Sequence, residues 1–375
     1  MKRYSVFLFL LLTFLFTIPA VFAFFYHPFF TFHDETQIVN MYEFFKTLDL
    51  GQFPPRWGLD FHFNYGSPFL QFYYQTPYYL GYLFHLLGVS LVDTFQYLLI
   101  LSFFVGALGM YFLGLQITSP LWAFIAAVVY TYTPYRAVAS YVRGSLGESL
   151  SLALFPWVFL FSYQLYKKPT FPKAILVGFS WAILILTHQL ATIFFLPLIF
   201  LPALFFLYSN RQLIFYLFVS LITSFGLSAY YLLPVLFEKK YIIPDGAFNF
   251  YDHFPFLKQL IFSKWGYRAS LWGIDDGLSF QLGLIPWIIL FTCLFLSFKI
   301  LKTKVETTTK FTFFYLLFAF LGTIFLMNIR SSFIWESLNL AQYVQFPWRF
   351  LMITTFLNPT FFLFITPQIP QRFTI

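Results

Sequence analysis

Residues 1–26 read MKRYSVFLFLLLTFLFTIPAVFAFFY, and residues 33–45 read HDETQIVNMYEFF. The first stretch is an apolar run from about Tyr4 to Tyr26 behind the pair Lys2-Arg3. A membrane-crossing helix needs about 20 apolar residues, so this run is long enough to span. A secretory signal has a shorter apolar region and ends at a small-residue cleavage site. Val21-Phe22-Ala23 is a poor cleavage site, so the run is expected to remain as a signal anchor, with the following residues emerging on the non-cytoplasmic side.

Composition extends that reading to the whole chain. Of 375 residues, 60% are hydrophobic, 25% aromatic and only 10% charged. A soluble domain carries roughly 25% charged residues, so water is not the main solvent here. The 60 Phe and 26 Tyr suit lipid-facing helices and aromatic belts at both interfaces. The net charge of +8 does not indicate nucleic acid, because the positive residues are scattered through short loops rather than gathered on a face. Cys293 is the one cysteine, which excludes an intramolecular disulfide and a cysteine-based metal site.

Apolar runs bounded by charges or turn residues place spans at 5–25, 93–116, 120–135, 147–166, 172–187, 190–208, 212–236, 281–300, 311–328 and 348–366. The expected fold is all-α, a polytopic transmembrane bundle of about ten spans forming a single domain over 1–375. The weak candidates are 120–135 and the pair 172–187/190–208, separated only by Thr187-His188-Gln189. Charge favours a hairpin at that turn over one long helix. With ten spans and an inner N-terminus, the cytoplasmic positives are Lys2, Arg3, Lys167, Lys168, Lys173, Arg211, Lys299, Lys302, Lys304, Lys310 and Arg372, eleven of the 22 Lys and Arg. Glu306 is then the one cytoplasmic acid of 14. Fusing 172–208 into one span would carry the Lys299–Lys310 loop outside, against the positive-inside rule. The long segments 26–92 and 237–280, and the shorter ones at 135–147 and 327–347, fall outside. Loops of such length without flexible composition usually carry structure and function.

The first outer loop holds the second quoted stretch. Ile38, Met41, Tyr42, Phe45 and Leu48 recur at helical spacing, predicting an amphipathic surface helix. Asp34 and Gln37, three apart, resemble a capping box. Gly51 and Pro54-Pro55 are expected to stop the helix. Asp34 reads equally as an N-cap and as a catalytic carboxylate, with Glu35 beside it. His33-Asp34-Glu35 suggests a divalent metal, but neighbours on a helix do not aim at one ion, so two further ligands would be required. Cofactors stay open at this point. The aromatic segment 69–88, broken by Pro77, Gly81 and His85, predicts an interfacial or re-entrant helix, in which Tyr73 and Tyr74 suit sugar stacking and interfacial anchoring alike.

Two arginines open spans from the outer side. Tyr141-Val142-Arg143-Gly144-Ser145-Leu146-Gly147-Glu148 combines a Gly-containing turn, a helix N-terminus and a cation, an expected anion site. Gln345-Phe346-Pro347-Trp348-Arg349-Phe350 does the same at the last span. The alternative for each arginine is a snorkelling anchor, although the outer side of a membrane is where positive residues are normally scarce. Glu148 is expected to pair with one of the arginines. His188, at the hairpin turn, is a polar turn residue first and a supporting site residue second.

Taken in order, Asp34-Glu35, Pro54-Pro55-Arg56-Trp57, Tyr65-Gly66-Ser67-Pro68, Arg143-Gly144 with Glu148, and Gln345–Phe350 resemble the GT-C glycosyltransferase superfamily. They are most similar to bacterial membrane proteins termed 6-pyruvoyl-tetrahydropterin synthase-related. Each motif is short and the weight lies in their order. The resemblance implies GT-C-like outer juxtamembrane helices and sugar transfer from a polyprenyl-phosphate-linked donor to a lipid, glycan or protein. It implies a base or metal-linked carboxylate at Asp34, then Glu35, and donor-phosphate contacts from Arg143, Arg349 and Arg56, with His33, Glu148 and His188 in support. It implies no pterin chemistry. Such relatives run further, and this chain ends nine residues after Thr366, so truncation at the C-terminus is expected. The alternative reading is a transporter, flippase or cell-envelope scaffold.

Overall fold

The computed structural model describes residues 2–26, 31–241, 249–302 and 306–368. Lys304, Arg372 and the C-terminal tail from 369 lie outside the described residues. The longer helices are α1 (Lys2–Tyr26), α2 (Thr36–Asp49), α3 (Thr76–His85), α4 (Leu91–Leu115), α5 (Pro120–Thr131) and α6 (Leu146–Lys167). They continue with α7 (Phe171–Thr187), α8 (Gln189–Ser209), α9 (Leu213–Glu238), α10 (Leu284–Lys302), α11 (Thr307–Leu326) and α12 (Leu351–Ile365). Among the described residues, 8 helices are long and apolar enough to cross a membrane, and α5 and α7 are shorter apolar helices. The protein is therefore an all-helical membrane bundle. Every expected span coincides with one of these ten helices, and the two shorter ones fall where the sequence signal was weak.

The helices alternate in direction. Tyr111 near the end of α4 donates to the Val6 carbonyl near the start of α1 (2.7 Å), which makes those two antiparallel. His188 has an extended backbone (φ −169°, ψ 112°) and separates α7 from α8. Lys173 at the start of α7 bonds the Gln164 carbonyl of α6 (3.0 Å), while α8 stacks Phe195 on Phe155 of α6 (4.2 Å). The 172–208 region is thus two helices and not one.

α6 and α12 form the centre, whereas α1, α9 and α10 present exposed Phe, Leu and Ile outward. In a bilayer such side chains face lipid, so helix association rests on close packing and polar contacts. A Cβ on Gly178 of α7 would strike Thr223 and the Ser220 carbonyl of α9, so glycine permits that close approach. Ser220 bonds the Ala174 carbonyl (2.9 Å), and Asn358 in α12 donates to the Pro286 carbonyl of α10 (3.0 Å).

At one end of the bundle, residues 31–88 form a cap. α2 packs on α3 through Phe44 against Tyr78 and Tyr79, and through Phe45 against Tyr82 and His85. Lys46 pairs with Asp60 at 2.6 Å. Gly51 (φ +85°) ends α2 in the left-handed conformation, its N–H reaching the Leu48 carbonyl, which is the expected stop. α3, with 10 residues, is too short to span, in agreement with an interfacial segment. Two expectations are corrected. Tyr42 is exposed, and the buried side of α2 is Met41, Phe44 and Phe45 together with Gln37, Asn40, Glu43 and Thr47. Asp34 and Gln37 form no capping box: Glu35 holds the cap position, without a side-chain bond.

Candidate functional site

Gln37 is absent from the cap because its amide is engaged elsewhere. Its Nε2 donates to the Tyr73 hydroxyl (2.6 Å), and its Oε1 accepts from Tyr74 (2.6 Å) and Tyr78 (2.9 Å). A buried amide finds more partners in three phenols than in one backbone N–H. Burial pushes the Tyr73, Tyr74 and Tyr78 hydroxyls above their ordinary pKa, so they stay neutral, Tyr74 and Tyr78 donating to the amide and Tyr73 accepting from it.

With no capping role, Asp34 lies in a strap, residues 31–35, whose last three residues turn into α2. The His33 N–H donates to the Val142 carbonyl (3.1 Å) and the Asp34 N–H to the Arg143 carbonyl (2.9 Å). The strap is thus stitched to the turn leading into α6. That turn is a π-helix, Val138–Val142, closed by the Arg143 N–H on the Val138 carbonyl (2.9 Å). Such single π-turns re-aim the next residue and are frequent at functional sites. Gly144 follows at φ +60°, where a Cβ would strike the Phe32 ring of the strap. Glycine is required there twice, for backbone angle and for space. The turn also corrects the expected anion nest. The Ser145 N–H is not free but donates to the Ala139 carbonyl (2.9 Å).

Arg143, Glu148 and Arg349 meet beneath the strap. Arg143 Nη1 is 2.5 Å from Glu148 Oε2, which also accepts from the Tyr135 hydroxyl (2.8 Å). Arg349 Nε is 3.8 Å from the other Glu148 oxygen, Oε1, and neither of those two atoms has a hydrogen-bond partner among the described residues. The Arg349 position comes from an unusual backbone. Gln345 has φ 64° and ψ −62°, and the Phe346 N–H bonds the Val344 carbonyl (2.8 Å), which is a γ-turn. A non-glycine residue in that conformation is strained, and such strain clusters at ligand clamps. It carries the chain into Pro347–Phe350, the turn that presents Arg349.

A cavity of about 500 Å³ opens on these groups, lined by Asp34, Tyr73, Arg143, Glu148, His188 and Arg349, with Leu190 and Ile193 of α8 at its apolar edge. The Asp34 carboxylate makes no hydrogen bond among the described residues. Burial raises its pKa and Glu148 adds to the rise, outweighing the lowering by Arg143, Arg349 and His33. Burial lowers the Arg143 pKa, but the Glu148 charge beside it outweighs that and holds the guanidinium charged. His188 is driven down to about 4, mainly by burial and also by the two arginines, so its ring is neutral near pH 7. Its Nδ1 accepts from the Ala191 N–H (3.1 Å), capping α8.

Asp34, Arg143, Arg349, Glu148 and His188 therefore come together, as do Tyr73 and Tyr74 at the rim. Arg56 does not: its side chain is exposed and lines no part of this cavity. Glu35 and His33 line a neighbouring cavity on the other side of the strap. Among the described residues no three His, Cys, Asp or Glu side chains converge as metal ligands, so the two further ligands that His33-Asp34-Glu35 would need are not found there. Two residues escaped sequence reasoning. Gln37 looked like a cap. Arg136, assigned to a surface loop, is buried, donates to the Ser102 carbonyl (2.9 Å) and stacks on Phe103 and Tyr130. Ser102 lies near the middle of α4, so that guanidinium is well inside the bundle; Pro134 opens the short helix Pro134–Ala137 that carries it.

Fold and site together define a polytopic helical membrane protein with an acid-and-arginine cavity at one end of the bundle. The chain belongs to the 6-pyruvoyl-tetrahydropterin synthase-related family of membrane proteins, whose model matches residues 70–324. The matched segment includes Arg143, Glu148 and His188, and leaves out Asp34 and Arg349. No curated protein and no solved structure matches the chain.

Proposed function

We propose that the chain is a membrane glycosyltransferase of the GT-C type that takes a sugar from a polyprenyl-phosphate carrier at the non-cytoplasmic face of the plasma membrane. The observation that carries this reading is the meeting of a carboxylate without a hydrogen bond, Asp34, with Arg349, whose Nε has no hydrogen-bond partner among the described residues, in a cavity that opens on apolar Leu190 and Ile193. Asp34 accepts the proton of an acceptor hydroxyl, whose oxygen bonds the sugar C1 while the C1–O bond to phosphate breaks. Arg349, with Arg143 behind it, stabilises the charge on the departing phosphate. Glu148 neutralises Arg143, and Asp34 balances Arg349, so the empty site has no large excess of positive charge. A singly charged phosphodiester suits it better than a pyrophosphate. The polyprenyl tail leaves along the exposed face of α8, past Ile193 toward Leu196 and Phe200.

Sidedness follows from charge. The far end of α6, about 33 Å from its start at 1.5 Å per residue, carries Lys167, paired with Glu306 at 3.7 Å, and the nearby Lys168 and Lys173. Lysine-rich ends stay in the cytoplasm, which leaves the Asp34 end outside and the N-terminus inside. The test is transfer of radiolabelled sugar from a polyprenyl-phosphate donor by the purified protein, with Asp34→Asn and Arg349→Ala beside it. Transfer that survives both substitutions in folded protein sinks the reading. A transporter or flippase is the second reading, favoured by Arg136, since a charge deep in a bundle often marks a transport path. Donor movement across vesicles that depends on Arg136 and not on Asp34 would select it.

A further inference from the structure

The strap at residues 31–35 has a cavity on each side, and the two differ in chemistry. The second cavity, of about 510 Å³, is lined by Ala23, Phe32, His33, Glu35, Tyr141 and Tyr267. It rests on the last turns of α1: Tyr141 stacks on Phe24 (4.4 Å) and donates to the Ala20 carbonyl (2.7 Å). Around those turns Phe22, Phe25 and Tyr26 are exposed, the kind of surface a bilayer covers. One wall is the loop carrying exposed Trp265, Tyr267 and Trp272, joined to the strap by His33 Nε2 and the Tyr267 carbonyl (2.9 Å). Exposed Trp and Tyr of this kind mark the headgroup level of a membrane. The cavity thus opens where headgroups meet acyl chains.

Among the described residues its polar lining is rich in acceptors, with the Thr31 hydroxyl able to donate as well, and carries no lysine or arginine. A carbonyl only accepts, so the His33 Nε2 bonded to Tyr267 bears the hydrogen, and Nδ1 is the ring atom left for a ligand. An ionised Glu35 carboxylate also only accepts. The Asp34 cavity offers two arginines to an anion, whereas this one offers acceptors to hydroxyl donors and would repel a phosphate headgroup.

We infer that this cavity binds the head of an uncharged, hydroxyl-bearing lipid drawn from the bilayer, and that this lipid is the acceptor of the transfer. The inference rests on the proposed glycosyl transfer. Asp34 lines the arginine cavity and is the strap residue between His33 and Glu35, which line the other one, so the acceptor head reaches it by passing the strap. The lipid hydroxyl oxygen forms the bond to the sugar C1. Its proton passes to Asp34, and the phosphate leaves with the electron pair of the C1–O bond.

The experiment places the full chain in vesicles holding equal amounts of a diazirine-bearing glucosyl diacylglycerol or a diazirine-bearing phosphatidylglycerol. Expected is labelling of strap peptides by the glucosyl lipid about tenfold above the anionic lipid, and about a tenfold loss in Ala23→Trp, whose indole fills the cavity mouth from an exposed position. Glu35→Ala, also at an exposed position, provides a second variant with intact packing and is expected to lose the same selectivity. Equal labelling by both lipids, or labelling indifferent to both substitutions, overturns the inference. Binding of a tritiated polyprenyl-phosphate sugar is read in parallel and stays unchanged in Ala23→Trp. If the wild type binds no such donor, the transferase reading fails while selective labelling still supports the lipid site.

Discussion

Replacing Glu148 by Gln keeps the shape of the side chain and removes its charge. In the native protein that charge is fully buried, 2.5 Å from Arg143 and 3.8 Å from Arg349. The amide oxygen can still accept from Tyr135, so the loss is electrostatic. Stranding one member of a buried ion pair costs about 3–5 kcal/mol. An independent figure agrees: unit charges about 4 Å apart attract by about 4 kcal/mol at an effective dielectric of about 20. The expected destabilisation is therefore about 3–5 kcal/mol, measured by SDS titration in lipid micelles with tryptophan fluorescence as the readout. Arg143→Met alone is expected to cost less, because Glu148 retains Arg349. The double variant should recover most of the loss, giving a coupling of about 3 kcal/mol, because a buried pair replaced whole is often near neutral. The same Glu148→Gln protein should bind inorganic phosphate more tightly, since its site gains one net positive charge. Two single losses that simply add, together with unchanged phosphate binding, would refute the buried-pair account.

Asp34→Asn is expected to lower sugar transfer by about 10²- to 10⁴-fold with donor binding retained, measured by equilibrium binding beside turnover. Because burial raises the Asp34 pKa and the base form is the active one, wild-type transfer should fade as pH falls, at a higher pH than an exposed aspartate would give; a pH profile checks this. His188 has the opposite displacement. Its folded pKa, about 4, is below the ordinary 6.5, so its contribution to stability is full above 6.5 and lost as pH falls toward 4. SDS titrations across that window should show the loss, and His188→Gln should reduce it. Gly144→Ala, at φ +60° and against Phe32, is expected to destabilise by about 1–3 kcal/mol and to displace the strap, seen as faster proteolysis near residue 33. Gln37→Leu leaves three phenols without their shared partner and should cost about 1–3 kcal/mol in the same titration.

The spans were legible because a bilayer imposes length and hydrophobicity on a sequence. Even the short α5 and α7 showed as the weak runs 120–135 and 172–187, and the lysine count placed the break at His188. The acid and arginine candidates were legible in part. Asp34, Arg143 and Arg349 stood out as charges at the ends of apolar runs, where charge is costly. Their company was not legible. Arg56 has the same motif credentials and lies outside the cavity, and Glu35, next to Asp34, faces the other side of the strap. Gln37 fitted a capping box by spacing alone, because sequence spacing does not reveal three tyrosines 36 to 41 residues away that compete for its amide.

By itself, then, the sequence determined the solvent of this protein, the number and order of its apolar helices and the end at which its polar residues collect. These properties depend on each residue's own transfer free energy and on its neighbours along one helix. Tertiary structure alone decided which charges share a cavity, that Arg136 turns inward, and that a π-turn and a γ-turn aim Arg143 and Arg349 at the same carboxylate. The shared cavity depends on contacts between segments more than 100 residues apart, Arg136 on Ser102 of a neighbouring helix, and Arg349 on strained backbone at Gln345 that only the packed bundle can hold in place.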